Sequence, residues 1–175
     1  SEEQLRKFTQ AALGKAGILA DEITPEVRAA AEKSFSKKYS DMFAGKTVNI
    51  DDSVLAPVAN ISVNQLEKLP TNVKPIIQSY LSDITQAPNR KLSGEVYQDA
   101  RSNLSKQANS MSATDPFTAG TLRKIRDTLD NAAMRSIPAA DGGKLKQLNR
   151  EYSNYKSVQK AASRISENSL EGVLS

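Results

Sequence analysis

Apolar residues recur three and four positions apart along almost the whole chain, and this spacing constrains the fold more than any other feature of the sequence. Such spacing places side chains on one face of an α-helix, whereas a half-buried strand needs apolar and polar residues to alternate. No segment alternates for long enough to predict a convincing strand. The sequence therefore predicts an all-α protein, an antiparallel bundle of about five to seven helices that is either compact or elongated.

The first quarter of the chain carries clear helix start and stop signals. A first helix is predicted over about residues 3–14, where apolar side chains share one face and glycines follow. Thr24 as N-cap and Pro25 at the first helical position predict the start of a second, longer helix. This helix is predicted to end before Gly45, since glycine is the usual residue just past a helix.

The next quarter is harder to interpret. Residues 46–60 could hold a short extended piece followed by a weak helix. After them, Ser62 has the pattern of a capping box and predicts the start of a short helix. Thr71 predicts the cap of another helix, which runs to about residue 86 and tolerates Pro75 in its first turn.

Three longer helices are predicted in the second half. The first starts at a Ser93 cap and the second at a Thr114 cap, and a turn at Ile137-Pro138 and Gly142-Gly143 precedes the third. Because the connections are short, consecutive helices should fold back antiparallel. We expect two parts, residues 1–91 and residues 92–175, which pack either separately or as one domain.

Two missing residue types limit the chemistry that this chain can perform. It has no cysteine, which excludes disulfides, thiolate zinc sites and thiol nucleophiles. It also has no histidine, the commonest general acid or base and the commonest metal ligand. Carboxylate sites for hard cations remain the easy metal option, and a lytic or nuclease activity would have to use one. We therefore expect no cofactor, no small-molecule substrate and no enzymatic activity.

The charge and hydropathy of the chain limit the kinds of partner that we expect it to have. The formal net charge is +4, from 24 basic and 20 acidic residues, which is mild for a dedicated nucleic-acid binder. No apolar run approaches the roughly 20 residues that a membrane-spanning helix needs. Ser1 stands where an initiator methionine would be, so we expect a processed or excised piece of a longer protein.

Basic residues converge on one face of the last predicted helix, opposite its apolar face. On a helical wheel of about 100° per residue, the middle of this face is occupied by Lys146, Arg150, Lys160 and Arg164. We call these four residues the basic stripe, and Glu151 and Glu167 lie off it. Phosphates of a nucleic acid or acidic side chains of a partner could line up along it. The alternative interpretation is the solvated face that any amphipathic helix shows.

Other polar groups are better explained by structure than by a site. Asp127 follows Arg123 by one helical turn and Asp130 follows Arg126 by one turn, a spacing that favours surface ion pairs over a metal site. Three tyrosines on apolar faces are interpreted as half-buried core residues and not as stacking platforms for bases: Tyr97, Tyr152 and Tyr155.

Three segments of the second half form a recognisable set. Residues 92–104 contain the pattern Gly-x-x-Tyr-x-x-x-Arg-Ser-x-Leu, beginning at Gly94. With residues 122–132 and 148–155, this segment resembles virion proteins of tailed bacteriophages and prophages. The similarity covers about residues 25–175 and is sharpest from 92 to 160.

The resemblance implies a role as well as a fold. Such proteins are large and helical, and they are implicated as internal or ejection proteins that help to move DNA into the host. It therefore implies a structural and interaction module that is made in the bacterial cytoplasm and incorporated into the virion. Its partners would be other virion proteins or further copies of itself, with DNA as another candidate. No catalytic residue is implied. The alternative function is a nucleic-acid-binding helical module that uses the basic stripe.

Overall fold

The structure, a computed structural model, describes the backbone of residues 1–174 and the side chains of residues 1–165. Its helices are α1 (Glu2–Lys15), α2 (Pro25–Phe43), α3 (Asp52–Asn60), α4 (Lys74–Thr85), α5 (Gly94–Met111), α6 (Pro116–Ser136) and α7 (Ala139–Leu174). Two three-residue strands, β1 (Thr47–Asn49) and β2 (Lys91–Ser93), form one small sheet. The all-α prediction is confirmed. Within the described chain, no helix combines the length and the apolar character needed to cross a membrane.

The helices are grouped into two compact units. The terminal unit contains residues 1–42 together with α7 from residue 140 onward, and the central unit contains residues 43–139. The predicted boundary between residues 91 and 92 lies inside the central unit. There, β2 pairs with β1, and this pairing joins residues on both sides of that boundary.

The terminal unit is built on the antiparallel pairing of α2 and α7. The Tyr39 hydroxyl donates to Asn149 Oδ1 at 2.7 Å, and about two turns further along α7 Lys156 Nζ donates to Glu32 at 3.3 Å. From the first of these contacts to the second, the residue number increases along α7 and decreases along α2. The two helices therefore run in opposite directions. The last turn of α1 joins them in a core formed by Leu13, Ala16, Ala31, Phe35, Leu148 and Tyr155.

Local signals set several ends of these helices. Ser1 caps α1 in a reciprocal capping box with Gln4. The Thr24 hydroxyl accepts from the Val27 backbone N–H at 3.1 Å, as predicted for the N-cap of α2. Gly45 follows α2 with a positive φ of 70°, a conformation that glycine adopts without steric cost.

The turn predicted at Ile137 and Pro138 is confirmed, and α7 starts at the next residue. Its predicted extension to Gly142 and Gly143 is wrong, because both glycines lie inside α7. A proline commonly precedes or opens a helix, whereas an interior glycine costs only about 1 kcal/mol relative to alanine. The two glycines are therefore tolerated within a helix of 36 residues.

In the central unit, the small sheet ties distant parts of the sequence together. Val48 pairs with Leu92, and both side chains are buried. The Asn49 backbone N–H, on the outer edge of β1, donates to the Ser136 hydroxyl of α6 at 2.8 Å. The extended piece predicted near residue 47 is thus confirmed, whereas β2 was missed because three residues are too few to show alternation.

Two predicted caps in the central unit are wrong. The Ser62 hydroxyl donates to the Val58 carbonyl at 3.1 Å, one turn back, because α3 continues directly into a π-helical turn at Ile61–Gln65. Thr71 does not cap α4, which starts at Lys74 without a side-chain cap. In both places, serine or threonine satisfied the capping pattern locally while the backbone followed the packing of its unit.

A third cap is displaced by one residue. Asp115 and not Thr114 caps α6, and its carboxylate accepts from the Thr118 backbone N–H at 3.1 Å. Pro116 then occupies the first helical position, where its missing N–H is not needed. An ionised carboxylate is the better cap here, because it also neutralises the positive end of the helix dipole.

Gly94, the first residue of the pattern Gly-x-x-Tyr, lies against the end of α2. A Cβ atom at this position would be 2.0 Å from the carbonyl oxygen of Phe43. The Gly94 backbone N–H also donates to the Lys46 carbonyl at 2.8 Å, so the backbone cannot move away without breaking this bond. Only glycine fits this close approach.

We predict that Gly94→Ala lowers the free energy of unfolding by about 1–3 kcal/mol, the usual range for overpacking. Gly120→Ala is the matched control, since Gly120 lies inside α6 with no neighbouring atom within 4 Å of an added Cβ. It should raise the free energy of unfolding by about 0.5–1 kcal/mol through helix propensity. Urea denaturation measures both changes, and equal shifts for the two variants would contradict the contact with Phe43.

Candidate interaction surfaces

Aromatic packing determines which face of α7 is buried. The Phe35 and Tyr152 rings pack edge-on with their centroids 5.1 Å apart. The Tyr39 ring packs against Tyr152 as well, with a centroid distance of 5.9 Å. Phe35 also contacts Tyr155 at 5.6 Å. Such pairs stabilise a contact by about 0.5–1.5 kcal/mol beyond the area that they bury. Tyr152 and Tyr155 thus pack in the core as predicted, although Tyr155 is fully buried and not half-buried. The opposite face of α7 is exposed.

Lys156 belongs to this packing and not to the outer face. Its ammonium lies 5.2 Å from the centroid of the Tyr152 ring and 3.3 Å from Glu32. Partial burial alone would lower the pKa of Lys156, but the contacts with Tyr152 and Glu32 outweigh burial and raise it. The ammonium of Lys156 therefore forms its contacts with Glu32 and Tyr152 inside the terminal unit.

The basic stripe, Lys146, Arg150, Lys160 and Arg164, lies on the outer face of α7, where all four side chains are exposed. With a rise of 1.5 Å per residue, it extends for about 27 Å along the helix. Arg150 donates to the neighbouring Gln147 at 2.7 Å. None of the four forms a salt bridge with any residue whose side chain the structure describes, so their charges face solvent.

Two serines complete this face. Ser153 and Ser157 are exposed and lie within about 20° of the centre of the stripe on the helical wheel. We call the six residues the donor face: Lys146, Arg150, Ser153, Ser157, Lys160 and Arg164. The two serines carry no charge, so a pattern of charges in the sequence does not reveal them. An alternation of cations and hydroxyls on one face is the signal that could have identified them.

Acidic groups are kept away from the donor face. Between residues 142 and 165 the only carboxylate of α7 is Glu151. Its side chain lies beside Gly17, where an added Cβ would be 3.3 Å from Oε2, and 3.9 Å from Lys38 Nζ. Glu167, predicted to lie off the stripe, is outside the described side chains. The described part of the face therefore presents hydroxyls and positive charge without a carboxylate, and the prediction that it contacts a partner stays a prediction.

Asp130 differs from its predicted role. Its carboxylate accepts from the Tyr97 hydroxyl at 2.6 Å and from Arg101 Nε at 3.0 Å, both on α5. The predicted pair with Arg126 is wrong, since Arg126 contacts Asp127 instead at 3.0 Å. Asp130 is partly buried between α5 and α6, where Tyr97 and Arg101 of α5 both offer it charge-assisted hydrogen bonds.

The pattern that carries the phage resemblance is therefore a packing pattern. Gly94 allows α5 to approach Phe43, Tyr97 and Arg101 hold Asp130, and Leu104 is fully buried. These residues stabilise the pairing of α5 with α6. None of them forms an open site, and within the described residues no group of three or more potential metal ligands comes together.

A second surface lies on α1. Its predicted apolar face is not packed, because Leu5 is 41% and Phe8 65% exposed. Leu19, in the loop that follows, is fully exposed. Only Leu13, at the end of α1, reaches the core of the terminal unit. Exposed side chains of this size close together on one helix indicate a contact surface more often than isolated apolar residues do.

Comparison of the chain with models of protein families, with curated proteins and with solved structures found no significant match. The resemblance to phage virion proteins thus rests on the segments quoted above. Two surfaces of the described chain are open to a partner, the donor face of α7 and the apolar face of α1.

Two tyrosines provide a test of the packing. The Tyr155 hydroxyl is buried without a hydrogen-bond partner among the described side chains, and burial followed by the Glu32 carboxylate raises its pKa. We predict that Tyr97→Phe costs about 1.5–3 kcal/mol, because it removes a bond to a charged acceptor. Tyr155→Phe should leave the free energy of unfolding unchanged or raise it by up to about 1 kcal/mol. Urea denaturation of both variants checks this, and a larger loss for Tyr155→Phe would refute it.

Proposed function

We propose that this chain is a structural and interaction module of a virion protein of a tailed bacteriophage, made in the host cytoplasm and acting in particle assembly or DNA ejection. The observation that carries the proposal is that the resemblance pattern coincides with the packing of α5 on α6. A pattern shared for such reasons is expected in proteins that share a helical architecture. The module would act by protein contact and not by catalysis.

The apolar face of α1 is the surface we assign to this contact, with a second copy of the chain as its occupant. Leu5 and Phe8 are exposed on α1, and Leu19 is exposed in the loop that follows. A two-fold contact between two α1 helices would bring the Leu5 and Phe8 side chains of both copies together and remove them from water.

We predict that Leu5→Ser, Phe8→Ser and Leu19→Ser together weaken self-association at least tenfold in sedimentation analysis. The fold should be kept, because these side chains are exposed. The matched control replaces three exposed apolar residues of the central unit with serine: Val63, Val96 and Phe117. It should leave the association constant unchanged.

The proposal fails if the native chain stays monomeric at high concentration and binds no neighbouring protein of the particle. An equal loss of association in the α1 variant and in the control would assign the contact to general apolar exposure and would contradict the role of α1.

A second candidate function is nucleic-acid binding through the donor face. The specific observation in its favour is that four cations and two hydroxyls share one exposed face about 27 Å long with no described carboxylate on it. Lysine and arginine bind phosphates mainly through charge, and such binding is independent of sequence.

We predict that replacing Lys146, Arg150, Lys160 and Arg164 with glutamine weakens DNA binding and reduces the slope of log K against log salt by up to about 3.6. The slope falls because fewer counterions are released. The matched control replaces four exposed lysines of the central unit with glutamine, which changes the net charge by the same amount: Lys68, Lys91, Lys106 and Lys124. Fluorescence anisotropy with labelled DNA measures both variants. Absence of binding by the native chain at low salt rules this function out.

A further inference from the structure

The cations of the donor face are not evenly spaced. Lys146 and Arg150 form one pair, Lys160 and Arg164 form another, and between them the face carries only Ser153 and Ser157. At 1.5 Å per residue, the facing members Arg150 and Lys160 are about 15 Å apart along the axis, and the pair centres are about 21 Å apart. The charge is thus concentrated at two ends of an uncharged middle.

This spacing can be compared with the phosphate rows of a duplex. The major groove of B-DNA is about 12 Å wide and the minor groove about 6 Å. The gap of about 15 Å between the inner cations is slightly larger than the width of the major groove and more than twice the width of the minor groove. Flexible lysine and arginine side chains can close the small excess. A single strand offers one phosphate row and no fixed gap to match.

We propose that α7 lies across the major groove of duplex DNA, with one cation pair on the phosphates of each rim and the serines above the groove. This inference rests on the proposed nucleic-acid binding and adds the form of the ligand and the orientation of the helix. Binding is independent of base sequence, because the middle of the face carries no side chain long enough to read base edges bidentately. Both pairs are needed for full affinity.

The test moves one pair without changing the net charge. The relocated variant carries Ser153→Lys, Ser157→Arg, Lys160→Ser and Arg164→Ser, so four cations remain on the same exposed face. They are then continuous, from residue 146 to residue 157, over about 16 Å. A helix that crosses the groove should lose the contacts at one rim, whereas a helix that binds through total charge should lose nothing.

For duplex DNA, we expect the relocated variant to bind at least fivefold more weakly than the native chain, with a salt slope smaller by about 1.8. For single-stranded DNA of equal length, the two proteins should differ by less than twofold. Far-UV circular dichroism should show equal helix content, since the exchanged positions are exposed.

Two results would overturn the inference, and they differ. Equal duplex affinity and equal salt slope for the native and relocated chains would contradict the groove-crossing arrangement while leaving nucleic-acid binding intact. No binding of duplex by the native chain at low salt would remove the nucleic-acid function itself and this inference with it.

Discussion

The packing of Phe35 and Tyr39 of α2 against Tyr152 and Tyr155 of α7 is the contact on which the terminal unit depends. An amphipathic helix buries its apolar face, so these rings decide which side of α7 is buried and which is exposed. Lys156 and Glu151 of α7 form ion pairs with Glu32 and Lys38 of α2 within the unit. The cations on the far side have no such contact among the described residues. The aromatic core therefore produces the donor face by exclusion.

In the central unit, a polar contact between α5 and α6 has the role that the aromatic contact has in the terminal unit. One carboxylate, Asp130, accepts hydrogen bonds from Tyr97 and Arg101 and so fixes α5 against α6. Partly buried charges are stable only when paired and hydrogen-bonded, which explains why tyrosine and arginine occur four residues apart on one helix. The contacts of Gly94, Tyr97 and Arg101 thus serve the architecture of the central unit. The assembly role that we propose depends on a different surface, the apolar face of α1.

Local chemistry was predictable from sequence, and long-range contact was not. Thr24 and Ser93 cap their helices as expected, because a cap needs only residues two or three positions away. Ser62 shows the same pattern without that role, since the backbone there continues as a π-helical turn. The bonds of Asp130 were invisible because its partners lie about 30 residues back along the chain. The positions of the basic stripe followed from helical periodicity, whereas the capture of Lys156 by Glu32 required the fold.

The central claim is that α7 buries its aromatic face and offers its donor face to a partner. Lysine acylation read out by mass spectrometry, on the free chain and with saturating duplex DNA, tests this most directly. In the free chain, Lys146 and Lys160 should react faster than Lys156, which Glu32 and Tyr152 hold. With DNA, Lys146 and Lys160 should become protected while Lys68 and Lys106 stay reactive. Protection of the central-unit lysines instead, or rapid reaction of Lys156 in the free chain, would contradict the account.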